Sequence, residues 1–68
     1  MDKDCFKELL EKYIEEGFPK VEFELEGDRS IFFDSDKYRY IFQDNVFWFG
    51  RNGVQTTIDY RVVRAIVV

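Results

Sequence analysis

The stretch at 38–49, YRYIFQDNVFWF, holds six of the thirteen aromatic residues of this 68-residue chain. It reads as two antiparallel strands and a tight turn. A two-residue primed turn at Asp44-Asn45, both tolerant of positive φ, sets Gln43 against Val46, Phe42 against Phe47, Ile41 against Trp48 and Tyr40 against Phe49. Side chains alternate along a strand, so Tyr38, Tyr40, Phe42, Phe47 and Phe49 share one face, called face A. Ile41, Val46 and Trp48 share the other, face B, beside Arg39 and Gln43. Asn52-Gly53, a strong hairpin signal, independently sets Phe49 against Thr56, Trp48 against Thr57 and Phe47 against Ile58. The two turns agree, which adds Val54, Thr56, Ile58 and Tyr60 to face A; a slip of one residue would invert every side chain.

On the N-terminal side, Phe6, Leu9, Leu10, Tyr13 and Ile14 recur at helical spacing, which predicts an amphipathic helix over about 5–16. Asp2 or Asp4 caps its first turn, and Gly17, Phe18 and Pro19 stop it. Cys5 at the helix start is read as a small residue, since no His is present to activate a thiol. KVEFELE at 20–26 alternates strictly, with Val21, Phe23 and Leu25 opposite Glu22, Glu24 and Glu26. A turn at Gly27-Asp28 leads to a strand at 29–34, where Ile31 and Phe33 oppose Phe32. Ser35-Asp36-Lys37 is a polar turn. The run RVVRAIVV at 61–68 is apolar and β-branched, hence strand. The expectation is one α+β domain over 1–68, a helix followed by a five-stranded antiparallel meander, with strands at about 20–26, 29–34, 38–43, 46–51 and 54–68 and a break near 61. The meander is expected as a strongly bent sheet or small barrel. An exposed C-terminal strand invites pairing, so a homo-oligomer through it is expected.

Composition narrows the function. A chain this short buries only about 60% of the surface it exposes unfolded, and the aromatic residues, each removing roughly 150–250 Å² from water, offset that. One Cys and no His exclude an internal disulfide and a Cys/His zinc site. Asp34, Ser35 and Asp36 begin a calcium-loop pattern, but its sixth position is Arg39 where Gly is needed, so no metal and no cofactor are expected. No signal peptide or membrane-spanning run is legible, which points to a soluble cytoplasmic protein with no membrane contact. The net charge of −4 disfavours nucleic acid. It conceals an asymmetry: residues 1–36 carry twelve acidic and five basic side chains, residues 37–68 two acidic and five basic.

No nucleophile has an evident base and no Gly-rich phosphate loop occurs, so the chain is not expected to be an enzyme. Face B is the candidate partner-binding site: Ile41, Val46, Trp48, Arg39 and Thr57, with Gln55 and Phe32 as neighbours, because aromatic residues and Arg are enriched where partners are held. The alternative is a single-stranded nucleic-acid binder using Tyr38, Arg39, Arg51, Tyr60, Arg61 and Arg64. A third idea makes the row Glu22, Glu24, Glu26 a phosphate mimic.

The order KVEFELEGD, RSIFFDSDKYRYIF, NVFWFGRNG, VQTTIDY, RVVRAIVV behind one helix resembles the Sm-like small β-barrels, the Hfq type of RNA chaperone among them, and is equally similar to the SH3-like barrels. The resemblance implies a helix over an open end, a strongly bent second strand, and last strands that pair between subunits into a ring. The uridine-binding Tyr-Lys-His of the Hfq type is unmatched; the corresponding residues are Asp59-Tyr60-Arg61. The function expected is a small interaction or regulatory module of the sort encoded by bacteria or their phages, working by protein-protein contact.

Overall fold

The two registers expected from the turns are those of the folded sheet, in a computed structural model that describes all 68 residues. The elements are α1 (Lys3–Glu15), β1 (Lys20–Leu25), β2 (Arg29–Asp34), β3 (Arg39–Phe42), β4 (Val46–Arg51), β5 (Val54–Asp59), a 3-10 turn (Tyr60–Val62) and β6 (Val63–Val67). Phe42 faces Phe47, Ile41 faces Trp48 and Tyr40 faces Phe49. Phe47 faces Ile58, Trp48 faces Thr57 and Phe49 faces Thr56. Asn52 and Gly53 both have positive φ, as a primed turn requires. Asp44 and Asn45 do not. There the register is closed by the Gln43 N–H donating to the Val46 carbonyl at 3.0 Å, so the loop length is as expected and the turn type is not.

Asp2 caps α1, its carboxylate accepting the Cys5 N–H at 2.8 Å. Gly17 ends it with φ +91° in a six-to-one and five-to-two pair of hydrogen bonds, Phe18 N–H to Tyr13 O and Gly17 N–H to Ile14 O. Phe6 and Leu10, on the apolar stripe, are fully buried.

The strands do not form a five-stranded meander, and no barrel closes. Six strands make two three-stranded antiparallel sheets, β2-β1-β6 (the first sheet) and β3-β4-β5 (the second). The break expected near 61 is the 3-10 turn, but the strands on either side of it, β5 and β6, belong to different sheets. Asp59 caps that turn, its carboxylate accepting the Arg61 N–H at 2.9 Å. Tyr60 plunges inward and donates its hydroxyl to the Gln43 carbonyl at 2.7 Å. With the chain turned at Tyr60, β6 leaves β5 and pairs with β1, with an irregularity at Glu24/Leu25. The polar turn expected at Ser35-Asp36-Lys37 forms, the Asp34 carboxylate accepting the Asp36 N–H at 2.9 Å, but it carries the chain from one sheet to the other, so β3 does not pair with β2 as a meander requires.

The inner faces of the sheets enclose one core that α1 completes. Phe47 is fully buried, with ring centroids of Phe6, Phe23, Phe33 and Phe42 at 5.0, 5.7, 5.3 and 5.3 Å. Phe6 touches both sheets, lying 5.2 Å from Phe23 of the first and 5.0 Å from Phe47 of the second, and 5.2 Å from Tyr60 in the turn between β5 and β6. Face A is thus the inner face of the second sheet, except at Val54, which is 68% exposed beyond the end of the core. Face B is that sheet's outer face. No helix is long and apolar enough to cross a membrane.

Phe6→Ala removes a ring shared by both sheets and is expected to cost about 3–5 kcal/mol, much of the roughly 5–15 kcal/mol typical of a whole domain. Urea unfolding should show a collapsed midpoint; an unchanged midpoint would show that the ring is not structural. Tyr60 has its phenol pKa raised above the ordinary 10.0, first by burial and then by the charge of Asp44. The folded chain therefore keeps a proton that the unfolded chain loses, so the stability this supplies is full below about pH 10 and falls as pH rises further. Tyr60→Phe should cost roughly 0.5–1.5 kcal/mol at neutral pH and flatten the alkaline decline, read from melts between pH 7 and 11.

Candidate functional site

Three cross-strand rows build the outer face of the second sheet. Arg39, Gly50 and Gln55 form one, Ile41, Trp48 and Thr57 the next, and Val46 with Asp59 the last. Alternation puts these residues outside because their neighbours Tyr40, Phe47, Phe49 and Ile58 turn inward. All five residues of the expected partner site therefore lie on one face. Ile41 is 53% exposed, Arg39 and Thr57 are exposed, and Trp48 and Val46 are half-buried.

Trp48 has a cause for its partial burial that the sequence reading missed. Its indole lies across Gly50, two residues along the same strand. A Cβ at Gly50 would meet Trp48 Cζ2 at 3.0 Å and the Val54 carbonyl oxygen at 3.0 Å. The indole N–H donates to the Gln55 side-chain oxygen at 3.3 Å. Glycine at i+2 from a tryptophan on one strand face is the signal that could have found this. The arrangement gives a flat, held aromatic plate with an open isoleucine beside it, a rigid contact surface whose ordering cost is met before any partner arrives.

Phe32 is not a neighbour of this face. It lies on the outer face of the first sheet opposite Glu22, 74% exposed. The six residues of the nucleic-acid alternative are dispersed. Tyr60 is buried and hydrogen-bonded, hence unavailable to stack on a base. Tyr38 packs its ring against Phe49 at 5.2 Å and Phe33 at 6.1 Å. Arg61 is engaged by Asp59, with Nη2 and Oδ2 2.8 Å apart. That pairing lowers the Asp59 pKa to about 2, chiefly through the side-chain hydrogen bonds, and raises that of Arg61. Arg39 and Arg51 are exposed on β3 and β4, Arg64 on β6 of the other sheet. In the glutamate row, Glu22 and Glu24 stay on the outer face of the first sheet, while Glu26 enters the turn, its N–H bonded to the Val62 carbonyl at 2.9 Å. No three His, Cys, Asp or Glu residues are grouped to hold a metal ion.

Gly50→Ala should destabilise the fold. Overpacking against the indole and a backbone carbonyl that cannot yield costs roughly 1–3 kcal/mol, more than the roughly 0.5–1 kcal/mol gained by removing a glycine from a strand. The displaced indole should show red-shifted emission; an unshifted spectrum with raised stability would mean that the ring does not rest on Gly50.

No protein-family model matches this chain, and neither a curated protein nor a solved structure matches it significantly.

Proposed function

We propose that this chain is a small non-catalytic interaction module that works by protein-protein contact through the outer face of its second sheet. The observation that carries the reading is the row Ile41, Trp48, Thr57, in which Ile41 stands 53% exposed beside the half-buried indole. Arg39 and Gln55 supply the polar rim found around such centres. Ile41 and Trp48 are the anchors, and Trp48 is the more valuable because it is already immobilised on Gly50. Self-association involving the C-terminal strand belongs to the same proposal, supported by β6 having a partner on one side only, β1. An Sm-like or SH3-like relationship is supported by the N-terminal helix that completes the core of two small antiparallel sheets.

A photo-crosslinking amino acid at Thr57, exposed beside Trp48, should yield a discrete adduct in lysate of the source cells. Ile41→Asp should reduce that adduct at least tenfold, as loss of an anchor worth about 2 kcal/mol demands, without changing the melting temperature by more than a few degrees. Adducts indifferent to Ile41→Asp would remove this face from the proposal.

A further inference from the structure

We draw no further inference here: the strongest candidate, the open groove of about 480 Å³ along the outer face of the first sheet, where Phe32 and Val67 lie among Lys20, Lys37, Glu22 and Asp34, carries nothing, because its lysines and carboxylates balance one another and nothing in the structure shows what covers its apolar lining.

Discussion

Phe47 at the centre of the aromatic core is the contact on which the rest of the structure depends. A three-stranded sheet with one apolar face has nowhere to hide it unless a second layer covers it. Phe47, from the middle strand of the second sheet, reaches Phe23 from the middle strand of the first, and Phe6 from the helix fills the space beside both. Rings crossing at 86° and 52° let edges meet faces, as the aromatic quadrupole prefers. In a chain of this size, the few fully buried rings stand in for the larger core that a longer chain would have.

That arrangement leaves the outer faces to answer for function. Every aromatic side chain with a complete structural explanation points between the sheets. The strand aromatics outside the core, Trp48 and Phe32, lie on opposite outer faces, while Phe18, 46% exposed, follows the helix. Trp48 is held by its own strand through Gly50 and Gln55, whereas Phe32 lies open opposite Glu22. The difference is one of freedom: a ring already fixed by its own strand has little left to lose, whereas an open ring keeps its rotamers.

The central hairpin, the caps of the helix and the membership of the Ile41–Trp48 face could be read from residues alone, since each depends on neighbours within a few positions. Asp2, Gly17 and Asn52-Gly53 act through local hydrogen bonds and φ preferences, and strand alternation then sorts Ile41, Val46 and Trp48 from Tyr40, Phe47 and Phe49. Where the reading departed from the structure, a distant group was responsible. The break expected near 61 falls at Tyr60–Val62, but the change of sheet that follows it depends on the Tyr60 hydroxyl finding the Gln43 carbonyl seventeen residues away. Face pattern alone puts Phe32 near Trp48, because nothing local says which sheet β2 joins.

Period and turn chemistry therefore determine which side chains share a face, because both are settled by backbone geometry over two to four residues. Which strand pairs with which is settled by closing the core. RVVRAIVV would satisfy its hydrogen bonds beside β5 or beside β1, and its alternation is the same in either place. Only beside β1 do Val63 and Ile66 join the buried cluster with Phe23 and Leu25 while the second sheet keeps β3, β4 and β5 to itself. The apolar area buried by that choice, not any local preference of the segment, gives two sheets in place of one meander and sets Trp48 and Phe32 on opposite sides of the molecule.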